Sequence, residues 1–300
     1  MSALEWSLLI LLGALWGSSF LFNKIALREL PHFSLVCVRL MLATTFLFLW
    51  ARASGFPIRR SWRTWRDLAI MGFLNNFLTF NFTTYGQTHI NAGLAAIIAA
   101  SAPLFVVLLS HFLTHDEKMT RRKVAGVMAG IAGVAVIMGL DAIRGIGAHV
   151  WAQFAVLCSA VAMASAGIFG RRLKNVPPVV SAGGQAACSM LLMIPIAIIV
   201  DRPWELTMPG AATWGSIAGL AIIGSGVSYV LFFRLLATVG ATNVILVNVL
   251  TPVSAVLLGV LFLGEHIELR HLAGMLMIAA GLATIDGRVL RWLLTRVTGR

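Results

Sequence analysis

The residues of this chain that could do chemistry are amides, hydroxyls and aromatic rings within long apolar segments. Amides and hydroxyls donate and accept hydrogen bonds, and aromatic rings supply apolar contact area, so together they suit a zwitterionic, partly apolar ligand. Polar groups in lipid need partners, and Asn75 and Asn76 could instead bond only across helices. We predict a substrate pathway lined from this set: Trp16, Ser19, Phe20, Asn75, Asn76, Thr79, Phe80, Ser101, Phe105, Met163, Ser225, Ser228, Tyr229, Asn243 and Asn248.

The ionisable residues bear on energy coupling. All 11 carboxylates lie at or near the ends of the apolar segments or between them. Proton or sodium coupling usually needs a carboxylate inside the membrane or a broken helix with ion-coordinating carbonyls. The sequence therefore predicts an uncoupled facilitator, with His111 as the residue that could still titrate near neutral pH. Arg39 could extend to the outer interface, or it could pair with a substrate carboxylate or with backbone carbonyls. A phosphate would need a lysine or arginine in the cavity, and the sequence predicts no cation in the middle of a span.

Signatures of catalysis, metal binding and nucleic-acid binding are missing from the sequence. The 3 cysteines (Cys37, Cys158 and Cys188) form no CxxC pair, and no paired His and Glu occur at zinc spacing. The net charge of +12 comes from short basic loops, which the positive-inside rule explains better than nucleic-acid binding. We expect no enzyme, no cofactor and no metal; the expected partners are a small-molecule substrate and the lipid bilayer.

The composition indicates which elements hold these residues. Apolar residues make up 59% of the chain and charged residues 11%, against about 45–50% and about 25% in soluble domains. A spanning helix needs about 20 apolar residues, and the chain offers ten such segments, so we predict an all-α integral membrane protein. The predicted spans are 4–22, 33–51, 67–86, 91–113, 121–140, 149–170, 178–200, 212–234, 241–263 and 269–287.

The distribution of lysine and arginine predicts the orientation. With a cytoplasmic N-terminus, 17 of these residues fall in cytoplasmic segments and 5 in outer loops, while Arg39 lies within a span. Positive residues concentrate on the cytoplasmic side of membrane proteins. We therefore predict that both termini are cytoplasmic in a multi-pass protein of the cell (inner) membrane.

An internal repeat relates the two halves of the chain. The stretch 91–133 matches 240–281, with the pairs Pro103 and Pro252, Glu117 and Glu265, Gly133 and Gly281, and upstream Trp65 and Trp214. Each half holds five spans, an odd number, so the halves 1–145 and 146–300 must be inverted relative to each other. Inverted repeats are typical of secondary transporters with a substrate site near the midplane between them.

Prolines and glycines within the spans suggest movement or close packing. Pro103 and Pro252 should kink the fourth and ninth spans, which suits either a gate or simple helix shaping. Glycines at helical spacing should allow close helix packing; these are Gly13 and Gly17, Gly126, Gly130 and Gly133, and Gly215 and Gly219.

These motifs resemble the EamA-type proteins of the drug/metabolite transporter superfamily. The resemblance rests on Trp16-Gly17-Ser18-Ser19-Phe20 with Lys24, on Arg39, and on the repeated pattern Pro103, Glu117, Gly126, Gly133 and Pro252, Gly264-Glu265, Gly274, Gly281. It implies a ten-helix fold of two inverted five-helix repeats around a cavity lined by the first, third, fourth, sixth, eighth and ninth spans.

Within the superfamily the chain looks most like YddG-type exporters of aromatic amino acids. That resemblance implies export of amino acids, with aromatic and bulky hydrophobic ones favoured. The inverted repeats predict alternating access by rocking of helices around the cavity, and we expect the protein to function as a monomer. The alternative is export of drugs or other amphipathic metabolites, possibly proton-coupled. A channel would differ from a carrier in showing neither saturation nor counterflow.

Overall fold

The computed structural model describes residues 2–57, 61–114, 118–139, 148–244 and 246–286. Within these ranges the chain is helical, and no β-strand occurs among them. We number the helices α1 Ala3–Ala26, α2 His32–Ala53, α3 Trp62–Gly72, α4 Thr79–His89, α5 Ala92–Ala99, α6 Ala102–Leu113, α7 Arg121–Met138, α8 Ala148–Phe169, α9 Pro178–Ile196, α10 Ala211–Ala218, α11 Ser228–Val239, α12 Ala241–Val244, α13 Val247–Leu263 and α14 Leu269–Asp286.

Length and composition identify the helical stretches that can cross a membrane. Five are long and apolar enough: Ala3–Ala26, His32–Ala53, Ala92–Leu113, His149–Leu173 and Pro178–Asp201. Shorter apolar helices cover Ala211–Val227, Val247–Leu263 and Leu269–Ile285. Each of the ten predicted spans overlaps helical residues, and that all ten cross the bilayer stays a prediction.

Several spans differ from the sequence-based boundaries; the first, for example, extends to Ala26 and the eighth to Val239. The third begins at Trp62, five residues before the predicted start, because the Ser61 hydroxyl accepts a hydrogen bond from the Thr64 amide and caps the helix. The fourth is not one continuous helix, since a turn at Ala100 and Ser101 separates α5 from α6. The polar cap and the turn are local features that a count of apolar residues does not detect.

Widened π-helical turns interrupt the third and eighth spans. They cover Phe73–Leu78 and Gly219–Val227, and a third covers Ala197–Asp201. The hydroxyls of Thr79 and Ser228 donate to the carbonyls five residues back, at 3.0 and 2.8 Å. The alignment of Trp65 with Trp214 makes these two hydroxyls repeat equivalents, so both halves satisfy a widened turn in the same way. Such turns occur frequently at functional sites.

The helices of one half pack mainly on helices of the other half. The principal pairs are α7 with α14, α1 with α13, α2 with α9 and α4 with α8. Helix α8 also packs on α5 and α6, as its repeat equivalent α1 packs on α13. The helices of the two halves therefore interleave over the described part of the chain.

Glycines allow the closest of these contacts. A methyl group added at Gly126 would lie 2.6 Å from the Gly281 carbonyl oxygen, so α7 and α14 touch through their backbones. A methyl group added at Gly17 would lie 2.8 Å from the Thr251 carbonyl oxygen in α13. These two faces match the predicted packing role of small residues. Gly215 differs, because nothing lies within 4 Å of a methyl group added there.

Candidate functional site

A cavity of about 210 Å³ lies where helices of the two halves meet. Its lining combines aromatic rings, a thioether and small residues with a few amides and hydroxyls. Eleven of the residues singled out from the sequence line it: Trp16, Ser19, Phe20, Asn75, Thr79, Phe80, Met163, Ser225, Tyr229, Asn248 and Pro252. They come from five different spans, the first, third, sixth, eighth and ninth, so the interleaving of the halves brings them together.

The other predicted pathway residues lie outside this lining. Ser101 is fully buried and donates to the Ile98 carbonyl at 2.7 Å, within the turn between α5 and α6. Ser228 is likewise buried and used by its π-helical turn. Asn243 donates to the Val239 carbonyl at 2.8 Å. Asn76 is buried within its π-helical turn, and Phe105 lies part-buried on α6.

The two prolines are not locally equivalent. Pro103 is the second residue of α6, directly after the turn, and it lies outside the cavity lining. Pro252 lies within α13 and lines the cavity. The expected kink in the fourth span is thus a break between two helices. Gating by either proline stays a prediction.

Several lining residues were not in the predicted set. They are Asn23, Arg39, Thr83, Ala96, Ala99, Ala100, Ser159, Ala160, Gly224 and Thr251. The alanines and Gly224 carry no sequence signal that separates them from packing residues. Asn23 and Arg39 lie towards the ends of their spans, where polar residues are usually attributed to the interface.

Two amide networks lie at the cavity wall. Asn75 donates to the Gln185 side-chain oxygen at 2.9 Å and, at a longer 3.5 Å, to the Tyr229 hydroxyl. Because Asn75 belongs to the third span and Tyr229 to the eighth, this contact joins the two halves. On the other network, Asn23 donates to the Gln87 side-chain oxygen at 3.1 Å, and Gln87 donates to the Phe20 carbonyl at 2.9 Å.

Arg39 gives the cavity a positive charge. Its residue is 6% exposed, and its guanidinium carbon lies 3.8 Å from the centre of the Phe80 ring. The side chain therefore does not extend to the interface. The prediction that no cation lies within the spans to meet a ligand is wrong for Arg39, which lines the cavity. The sequence left the position of Arg39 open, because an arginine near a span end is compatible with both the interface and the interior.

Acidic side chains and His111 do not contribute to the lining. The described residues that border the cavity include no aspartate, glutamate or histidine. His111 lies at the loop end of α6, where its Nδ1 accepts a hydrogen bond from the Met119 amide at 3.2 Å. Among the described residues, the lining thus presents Arg39 as its cation, together with neutral polar groups and apolar surface.

Comparison with known proteins finds relatives that are similar in fold and in sequence. One solved crystal structure superposes with a TM-score of 0.67 over 95% of this chain and 98% of its own, at 22% identity, and therefore has the same fold. An uncharacterized transporter of Synechocystis is similar, at 27% identity over 85% of this chain and 81% of its own length.

Two further relatives are similar over much of their length. The uncharacterized inner membrane transporter YedA of Escherichia coli is 25% identical over 93% of this chain and 92% of its own. Protein PecM of Dickeya dadantii is 26% identical over 77% of this chain and 75% of its own. The EamA-like transporter family profile matches the chain twice, over residues 4–139 and 150–285. The chain therefore belongs to the EamA-like transporter family, within the drug/metabolite transporter superfamily, and is a multi-pass membrane transporter.

Proposed function

We propose that this protein exports amino acids, with aromatic and bulky hydrophobic ones favoured, as YddG-type exporters do. The observation that carries the proposal is the composition of the cavity between the halves. Trp16, Phe20, Phe80 and Met163 supply apolar area and adaptable packing, and Asn75 and the other polar groups supply hydrogen bonds. Ligand sites are mostly apolar with a few placed polar groups, and an amino acid with a large side chain has both kinds of surface.

The proposed mechanism is alternating access by a monomer. The two halves, 1–145 and 146–300, form inverted five-helix repeats that cross the inner membrane ten times with both termini cytoplasmic. The 17 to 5 distribution of lysine and arginine supports this orientation. Rocking of the repeats around a fixed central site would expose the cavity to each side in turn.

The transport is proposed to be uncoupled. A proton or sodium ion would need a titratable or coordinating group in the pathway, and the described lining residues offer no carboxylate or histidine. The substrate would then move down its own gradient. Strong stimulation of counterflow by an imposed pH gradient would contradict this part of the proposal.

A second candidate function is export of drugs or other amphipathic metabolites, possibly coupled to protons. The large apolar share of the lining favours it, because aromatic and methionine side chains accommodate many shapes. The buried positive charge of Arg39 favours the amino-acid proposal over cationic drugs.

Counterflow in proteoliposomes tests the two candidates. Vesicles preloaded with unlabelled amino acids should accumulate labelled phenylalanine or tryptophan transiently and saturably, whereas a pore would show no counterflow. If no amino acid exchanges while a cationic drug does, the amino-acid proposal is wrong.

A further inference from the structure

Two buried side chains at the cavity have hydrogen-bonding groups that the protein leaves unused. Arg39 is 6% exposed and Asn23 is 3% exposed, and both line the cavity. The buried Nε of Arg39 and Oδ1 of Asn23 have no hydrogen-bond partner among the described residues. Other buried atoms of the described residues are also unpaired, but Arg39 and Asn23 both line the cavity, so a ligand held there would complete their bonding.

The orientation of the Asn23 amide follows from its neighbours. The Phe20 carbonyl only accepts, so the Gln87 side chain must present its amino group to it, at 2.9 Å. The Gln87 oxygen then faces Asn23, which must donate through Nδ2, at 3.1 Å. The hydrogen-bond chain thus leaves the Asn23 Oδ1 as an unused acceptor.

Arg39 is the complementary case of an unused donor. Its guanidinium stacks 3.8 Å above the centre of the Phe80 ring. No carboxylate lies within ion-pairing distance of it in the described part of the chain, and the described lining residues include no acidic side chain. A guanidinium carries five donors and keeps its charge. A buried charge without a counter-ion is costly, so an anionic group of a ligand would complete this environment.

We propose that Arg39 and Asn23 recognise the zwitterionic head group of an α-amino acid. The guanidinium binds the carboxylate through its planar fork, and the Asn23 Oδ1 accepts a hydrogen bond from the ammonium group. This inference rests on the proposed export function and adds its recognition chemistry. A ligand that lacks either charged group leaves one of the two side chains unpaired, so it binds more weakly.

Competition by three ligands of nearly equal size tests the assignment. Unlabelled L-phenylalanine, 2-phenylethylamine without the carboxylate, and 3-phenylpropanoate without the ammonium group would compete with labelled phenylalanine in proteoliposomes. Hydrogen bonds to charged groups contribute enough for at least about a tenfold difference. Each of the two analogues should therefore need about ten times the concentration of phenylalanine, or more, for equal inhibition.

Two variants separate the two contacts. Arg39→Gln should bring 2-phenylethylamine close to phenylalanine in potency, and leave the discrimination against 3-phenylpropanoate. Asn23→Ala should bring 3-phenylpropanoate close to phenylalanine in potency, and leave the discrimination against 2-phenylethylamine. The matched control is Asn81→Ala, since the Asn81 Oδ1 is also buried without a partner but the residue lies outside this cavity. That control should keep both discriminations.

The possible results separate this inference from the export proposal. If phenylalanine exchanges but both analogues inhibit as strongly as phenylalanine does, the head-group assignment is wrong and the export proposal stands. The same holds if Arg39→Gln leaves the potency of 2-phenylethylamine relative to phenylalanine unchanged and Asn23→Ala leaves that of 3-phenylpropanoate unchanged. If no amino acid exchanges with the wild-type protein, the export proposal fails, and the assignment fails with it. Should a variant not survive purification, the analogue series on the wild-type protein decides alone.

Discussion

The Glu265 carboxylate caps the helix that begins at Ala92. Its two oxygens accept hydrogen bonds from the Ala92 amide at 2.7 Å and the Gly93 amide at 3.0 Å. Gly264, at φ +65°, ends α13 in a left-handed conformation that directs the chain towards this helix. Glu265 belongs to the second half and α5 to the first, so a single carboxylate joins the halves at their predicted outer side.

Lys24 stabilises the other end of the short connection between α4 and α5. Its ammonium group donates to the Gln87 and Ile90 carbonyls, at 2.6 and 2.8 Å, where α4 ends. A cation thus meets the C-terminus of one helix and an anion the N-terminus of the next, as the helix dipoles favour. The connection between the third and fourth spans is therefore held from both sides by residues outside it.

Removing the Glu265 charge should loosen this junction. Glu265→Gln weakens two charge-assisted bonds to otherwise unpaired helix amides, and losing such a cap typically costs about 1 kcal/mol. We expect the melting temperature of the detergent-purified protein to fall by a few degrees. Glu268→Gln is the control, because Glu268 is exposed and pairs with Arg270 at the surface. Equal melting of the two variants would contradict the capping role.

Helix contact through glycine gives a second stability prediction. Gly281→Ala would place a methyl group 2.5 Å from the Gly126 carbonyl oxygen, and because backbone cannot give way easily, α7 and α14 must separate. Overpacking of this kind typically costs about 1–3 kcal/mol. Gly215→Ala should leave stability nearly unchanged, since the added methyl group meets nothing. Thermal unfolding of both variants measures the difference, and a stable Gly281→Ala protein would refute the close contact.

The sequence predicts the helical architecture well, because that architecture depends on local composition. Apolar runs locate the helices, and glycine spacing identifies the contact at Gly126. The π-helical turns escape prediction, since a hydroxyl such as that of Thr79 bonds equally well to a carbonyl four residues back. Packing between the spans determines which of these carbonyls the hydroxyl bonds.

The cavity is only partly predictable for a related reason. Polar residues in the middle of a span, such as Asn75, are conspicuous in an apolar run. Arg39 and Asn23 are not, because near a span end the interface explains them equally well. Their burial follows from how α1 and α2 meet α4 and helices of the other half, which one sequence does not specify.

Trp16 should contribute directly to substrate binding. It lines the cavity and stacks on Phe232 with ring centres 5.7 Å apart, so Trp16→Ala removes apolar contact area from the proposed site. Burial of an aromatic side chain is worth about 1.5–3 kcal/mol, and we expect the half-saturating phenylalanine concentration in counterflow to rise roughly tenfold. Trp6→Ala, an exposed tryptophan on the same helix, should leave it unchanged. Unaltered kinetics in Trp16→Ala would remove this residue from the pathway.

The Glu29 carboxylate should make the stability of the folded protein depend on pH in the acid range. Its carboxylate accepts hydrogen bonds from the Thr213 hydroxyl and the Gly210 amide, each at 2.7 Å. These bonds favour the charged form and lower the pKa of Glu29 below its usual value. The stabilising contribution is therefore complete above the unfolded pKa of about 4.3 and is lost as the pH falls through the lower folded pKa.

The corresponding experiment compares Glu29→Gln with the wild-type protein across pH. At neutral pH the wild type should melt at the higher temperature, and the difference should shrink as the pH falls below about 4, where its carboxylate becomes protonated. Glu205→Gln serves as the control, because Glu205 is exposed and its 3.5 Å pair with Arg202 lies at the surface. A difference between wild type and Glu29→Gln that stays constant with pH would show that packing, and not the charge on Glu29, joins the first half to the start of α10.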